Sequence, residues 1–271
     1  MLLADFQFSQ NNLQDYVDCQ RRFQLRYALR QAWPAVDVEP ILEKENFLRQ
    51  GAVFHRLVQG YLMGLPVEKL IPPHADPDLR RWWANFREKG LKGLPEKHHP
   101  EIALSIRLAG YPVVSRYDLI AIEPGKRAVI VDWKTTRHRP PRQWLESRLQ
   151  TRLYCYLLVR AGAHLNDGQT ILPEQVEMLY WFTNFPDEPE HLRYNSAQFH
   201  EDERYLTVLL GQITSQQDAV FPLTSDERQC RFCTYRTLCE RGDRAGTLDE
   251  EAALFGFAEE FDAETITELE F

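Results

Sequence analysis

Asp132-Trp133-Lys134 closes the run Val129-Ile130-Val131 and is followed by two threonines. The β-branched residues, the tryptophan and the threonines favour a strand leaving a buried sheet. Residues two apart on a strand share a face, which sets Asp132 and Lys134 side by side. Tyr111 to Ile122 reads as a neighbouring strand carrying Asp118, and Glu123-Pro124-Gly125-Lys126 favours a hairpin between the two. Two carboxylates and an ammonium at the end of a small sheet suit a hard cation acting on an anion. Phosphodiester hydrolysis is such a reaction: Asp118 and Asp132 would hold Mg2+ or Mn2+, and Lys134 would orient or polarise the attacking water and offset charge at phosphorus. His55 is a candidate extra ligand, since imidazole suits Mn2+ better than Mg2+. Glu101 could add an oxygen or orient a water. Gln150 could hydrogen-bond to DNA or to the lysine, and Tyr154 could do the same or stack on a base. Taken singly each has a plainer use: an isolated Asp-x-Lys is common, His55 could be a satisfied helix histidine, and Gln150 and Tyr154 could be ordinary helix residues. Their order as a set is what points to catalysis.

Five cysteines are present, Cys19, Cys155, Cys230, Cys233 and Cys239. Cys230-x2-Cys233 brings two thiolates to one centre and Cys239 can add a third, which indicates metal rather than a disulfide framework. A fourth ligand must come from elsewhere: Cys155, set among Leu153, Tyr154, Tyr156 and Leu157, reads as buried and inert, and Cys19 sits near the N-terminus beside Arg21 and Arg22. Spacing alone leaves zinc and iron-sulfur both open.

The positioning elements follow from periodicity. Ser9 can cap a helix from about Gln10 to Trp33, ended by Pro34. A second helix over about Leu42 to Met63 puts Gly51 and His55 on one face, small Gly51 admitting a close neighbour. A third contains Leu79, Trp82, Trp83 and Phe86. Glu101 to Leu108 alternates as a half-buried strand and pairs through Ala109-Gly110 with the strand bearing Asp118. A helix over about Gln143 to Ala161 places Gln150 and Tyr154 on a common face. Val176 to Phe182 reads as a strand at the opposite side of the sheet, and Asn195 to Gln216 becomes helical. Such a chain is α/β: a single domain over 1–271, with a core over about 42–216, a cysteine module from about 9–33 and 226–245, and an acidic tail over 247–271.

The formal charge of −8 does not exclude nucleic acid, because local charge sets a binding surface. Lys134 to Arg152 holds six Lys or Arg against Glu146 alone, and Arg228 to Arg244 holds five arginines against two acids. These arginines could line a groove for a single strand or simply pair with acids. No signal peptide or apolar span stands out, so a cytoplasmic protein is expected.

The chain resembles the RecB-type branch of the PD-(D/E)XK nuclease superfamily, especially the iron-sulfur CRISPR-associated nucleases and AddB-like nuclease domains. Gly51-x3-His55 matches the helical histidine motif, Tyr117-Asp118 the first acidic motif, Asp132-Trp133-Lys134 the Asp-x-Lys motif, and Gln150-x3-Tyr154 the Gln-x3-Tyr motif. One departure is Ser115-Arg116, where a glycine often precedes the first acid. The resemblance spans about Ser9 to Arg241. It implies a restriction-endonuclease-like core with a central mixed β-sheet flanked by helices, metal-dependent DNA cleavage, and the Trp133 backbone carbonyl as a further metal ligand. It also implies a [4Fe-4S] cluster held by Cys19, Cys230, Cys233 and Cys239, joining the N- and C-terminal segments. The expected partner is DNA, single-stranded or with single-stranded ends, in CRISPR adaptation beside integration proteins or in DNA repair and recombination. A homo-oligomeric ring could supply a threaded channel. The alternatives are a catalytically inactive DNA-binding subunit with the same fold and a nuclease acting on RNA.

Overall fold

The computed structural model describes residues 6–31, 39–66, 71, 74–216, 220–242 and 246. Five strands form one mixed sheet in the order β1 (Lys97–Leu108), β2 (Tyr111–Glu123), β3 (Arg127–Lys134), β4 (Val176–Phe182) and β5 (Phe185–Arg193). Only the β3–β4 pair is parallel. Parallel neighbours need a crossover, and α5 (Arg142–Ser147) with α6 (Leu149–Ala161) supplies it. Val176 to Phe182 therefore lies beside the Asp132 strand, not at the far side as expected from sequence. The β5 strand escaped the sequence reading because Pro186, Asp187 and Pro189 are poor strand formers; as an edge strand it tolerates them.

The sheet has an apolar layer on each side. Ile120, Ile130, Met178 and Tyr180 pack against α6. Leu119, Val129, Val131, Trp133 and Trp181 pack against α3 (Glu39–Leu62) and α4 (Pro77–Asn85). A further core joins α1 (Gln10–Asp18), α6 and α7 (Ser196–Ser215) through Leu13, Tyr156, Leu157 and Leu210.

Two expected long helices are each broken. The first stops at Cys19, whose backbone is extended at φ −159°, ψ 106°; α2 (Gln20–Phe23) then restarts and runs into a wider π turn over Gln24–Ala28. The expected end at Trp33 falls outside the described residues. The second break is at Arg148, extended at φ −70°, ψ 142°, between α5 and α6. Ser147 Oγ donates to the Trp144 carbonyl at 2.7 Å, an i to i−3 bond of the kind that competes with helix continuation. The acidic tail over 247–271 lies outside the described residues.

Candidate active site

The β1–β2 and β2–β3 ladders both fail at one place. Leu119–Val131 is the last paired rung of β2 and β3, and the β1–β2 ladder skips from Pro100–Leu119 to Ile102–Tyr117. Extending those registers by one step puts Asp118 across from both Asp132 and Glu101. Tyr117 belongs to the α6-side core and Leu119 to the α3-side core, although a straight strand would keep both on one face. Glu101 sits at φ 50°, a left-handed conformation that disfavours any residue with a Cβ. β1 and β2 thus both depart from regular pairing around Asp118, and the distortion brings the three acids to one region.

Each acid is held by named partners. Asp118 Oδ1 lies 3.2 Å from His55 Nδ1, and its Oδ2 accepts the Trp133 amide at 2.9 Å. Asp132 Oδ2 lies 2.8 Å from Lys134 Nζ, and its Oδ1 accepts from Gln150 Nε2 at 2.7 Å. Gln150 Oε1 in turn accepts from Lys134 at 3.1 Å and from the Tyr180 hydroxyl at 3.3 Å. The Gln150 amide is oriented by these contacts, with its oxygen toward the lysine and its nitrogen toward the acid. Burial works against the His55 imidazolium, but the Asp118 carboxylate outweighs it and the net pKa is raised. Burial likewise pushes Asp118 up, yet His55, the Trp133 N–H and Lys134 bring it below its ordinary value. Glu101 is raised, first by burial and then by the charge on Asp118.

His55 reaches Asp118 because α3 approaches the end of β3 closely. A methyl group on Gly51 would stand 3.0 Å from Thr135 Oγ1. The Trp133 indole packs edge-on against Phe86 and Trp181, which anchors the strand between the two site residues. Tyr154 does not offer a face for a base. It is 4% exposed, its hydroxyl donates to the Arg116 carbonyl at 2.7 Å, and its ring lies 4.5 Å from Tyr117. Its place is that of a strut beneath Asp118. Tyr180 was missed from sequence; its β3–β4 register opposite Asp132 is the signal that could have found it.

The basic stretch is largely committed internally. Arg139 and Arg142 both pair with Glu190, each at 2.5 Å, and Arg152 pairs with Asp202 and Glu201. Arg148 stacks over Trp144 at 4.6 Å.

Cys19, Cys230, Cys233 and Cys239 line one recess, together with Arg22, Tyr235 and Arg236. Burial raises the Cys230 thiol, followed by the proximity of Cys19 and Cys239; burial and then Cys19 raise Cys239. Cys155 lies elsewhere, buried at 2% exposure with its thiol pushed far up by burial. Among the described residues, no group of three or more His, Cys, Asp or Glu side chains is arranged to grip a single metal ion. At the sheet, Asp118 and Asp132 are engaged by His55 and Lys134; in the recess, four soft donors face a shared space. Carboxylates suit a hard cation, and four thiolates suit zinc or an iron-sulfur group.

A sheet broken at paired acids, with a lysine two residues beyond one of them, defines a nuclease-type core. The PD-(D/E)XK nuclease superfamily model matches residues 7–240, and the chain belongs to that superfamily. Among curated proteins no sequence matches. Two solved structures are similar in shape. SSO0001 is 15% identical, with 88% of each chain covered and a TM-score of 0.44. A Eubacterium rectale protein provisionally described as an exonuclease is 8% identical, with 81% of this chain and 84% of that one covered and a TM-score of 0.49. No described helix is long and apolar enough to cross a membrane.

Proposed function

We propose that the protein is a divalent-metal-dependent DNA nuclease that prefers single-stranded DNA or single-stranded ends. The observation that carries this is the convergence of Asp118, Asp132, Lys134, Gln150 and His55 where the sheet opens. Asp118, Asp132 and the Trp133 carbonyl would hold Mg2+ or Mn2+, with His55 or Glu101 completing the set. The cation supplies Lewis-acid polarisation of the phosphoryl oxygens. Lys134, fixed by Gln150, donates to the attacking water or to the oxygen that gains charge, and Gln150 holds the Asp132 carboxylate in place. His55 steadies Asp118 from the helix side. The work would lie in CRISPR adaptation or DNA repair, a reading that the likeness of motifs supports.

The four cysteines of the recess would hold a [4Fe-4S] cluster that closes the chain between Cys19 and Cys239. The shared recess and the all-thiol donor set support this reading. Anaerobically purified protein is to be incubated with Mg2+ or Mn2+ and labelled single-stranded DNA, duplex DNA or RNA. Cleavage of single-stranded DNA with either metal is expected. Cleavage of RNA alone would favour the ribonuclease alternative, and failure on all three would favour a DNA-binding subunit.

A further inference from the structure

The α1 helix does more than lead into Cys19. Gln10 and Gln14 lie one turn apart on the same face, and both reach α6. Gln10 Nε2 approaches the Tyr154 hydroxyl at 3.4 Å, and Gln14 Oε1 accepts the Leu149 amide at 3.1 Å. Leu149 opens α6 immediately before Gln150. Helix starts leave their first amides without intrahelical partners, and Arg148 at the cap position provides no side-chain bond. Gln14 therefore acts as a cap supplied from another helix. It is itself held from behind: its Nε2 donates to Asp18 Oδ1 at 2.8 Å, and Asp18 Oδ2 takes Arg22 at 3.0 Å. Arg22 also lies 2.8 Å from Asp15 and lines the cysteine recess. A line of polar contacts thus runs from that recess to the first turn of α6.

We propose that Gln14 is a positioning residue for Gln150, fixing the start of α6 so that the Gln150 amide meets Asp132 and Lys134 in register. The proposal rests on the nuclease reading for its kinetic consequence, but the geometry it asserts does not. Gln150 bridges the acid and the lysine with contacts of 2.7 and 3.1 Å, so a small rotation of the α6 first turn would break one or both. The Leu149 amide is the nearest fixed point on that turn. Gln14→Leu keeps the size and helical tendency of the side chain and removes the acceptor; Gln14→Glu keeps an acceptor and is combined with Asp18→Asn, whose amide supplies the donor that Gln14 loses.

The full-length variants are to be compared by hydrogen exchange at the Leu149 and Gln150 amides and by single-turnover cleavage of labelled single-stranded DNA. Gln14→Leu should exchange faster at these amides and cleave about tenfold more slowly at saturating substrate, with KM unchanged. The Gln14→Glu/Asp18→Asn double variant should restore both readouts. In a Gln150→Ala background the Gln14→Leu change should add no further loss of rate, the non-additivity expected of residues acting through one another. Unaltered exchange in Gln14→Leu, or a full additional tenfold loss in the Gln150→Ala background, would overturn the proposal. Should the wild-type protein cleave nothing, the nuclease reading fails, and the exchange comparison still decides whether Gln14 holds the α6 start.

Discussion

The proposed cleavage centre and the cysteine recess are organised in opposite ways. The first is built mainly from neighbours in a sheet: Glu101, Asp118, Asp132 and Lys134 come from three consecutive strands, with Gln150 from the crossover helix and His55 from α3. The second gathers residues from the two ends of the chain, Cys19 against Cys230, Cys233 and Cys239. In the centre, Asp132 and Lys134 are paired to each other and bridged by one amide. In the recess no disulfide ties the four thiols, and burial keeps at least two of them hard to ionise. Local pairing sets the geometry of the first; at the second the chain segments meet through the Phe221 amide on Gln24 and the Tyr235 hydroxyl on the Gln31 carbonyl, and the proposed cluster would add a cross-link to these contacts. Damage to the recess should therefore register first in stability, and damage to the centre first in rate.

Replacing a recess ligand tests that division most strongly. If the proposed cluster is present, Cys233→Ala should abolish its brown chromophore and lower stability by roughly 5 kcal/mol, the scale expected for losing a cross-link across so long a loop. Thermal unfolding of the anaerobic protein measures it. A variant that keeps its melting temperature would show that the ends are joined without the cysteines.

Lys134→Met should act on rate, lowering cleavage about 10²–10³-fold, the scale of removing one donor to developing charge. Here the comparison becomes sharper, because Lys134 and Asp132 are both buried, with side-chain exposures of 11% and 6%. Leaving Asp132 charged without its lysine should also destabilise the metal-free protein, by about 3–5 kcal/mol as buried pairs do. Adding Asp132→Asn should recover most of that stability and none of the rate. If denaturant unfolding instead finds the single variant as stable as wild type, the pair is more solvated than its burial implies.

Glu101 separates backbone strain from chemistry. At φ 50°, Glu101→Gly should be more stable than Glu101→Ala by about 1 kcal/mol, since glycine alone escapes the left-handed penalty. Both should cleave equally poorly if the carboxylate matters. Equal stabilities would mean that the strand relaxes once the carboxylate is gone.

The motif spacing carried much of this architecture, and physical reasons mark where it stopped. The Asp132 strand, the Asp118 hairpin and the helix bearing His55 were legible because burial follows period there. The breaks at Cys19 and Arg148 were not, because both residues are compatible with helix and only tertiary contacts favour the extended form. Tyr154 was misjudged for a related reason: its spacing from Gln150 fixes a helix face, but not whether that face meets solvent or Tyr117. Gln14 carries no local signal at all, since its partner lies 135 residues away. The twist at Asp118 is likewise invisible in a pattern that alternates normally on either side.

The smallest effect concerns the uncharged close approach of α3 to the residue that follows β3. Gly51→Ala should gain up to about 1 kcal/mol of helix propensity. Against this, the new methyl would meet Thr135 Oγ1 at 3.0 Å, close enough that one of the two must move by a few tenths of an ångström. The hydroxyl cannot swing freely, because a β-branched side chain has few staggered positions. Net stability should therefore change by less than about 0.5 kcal/mol, while the shift of α3 carries His55 away from Asp118 and slows cleavage severalfold. Adding Thr135→Ala removes the opposing atom, so rate should return in the double variant and stability should rise slightly. If the rate stays low there, His55 is displaced by something other than this contact, and the closeness of α3 to β3 is not what sets the site.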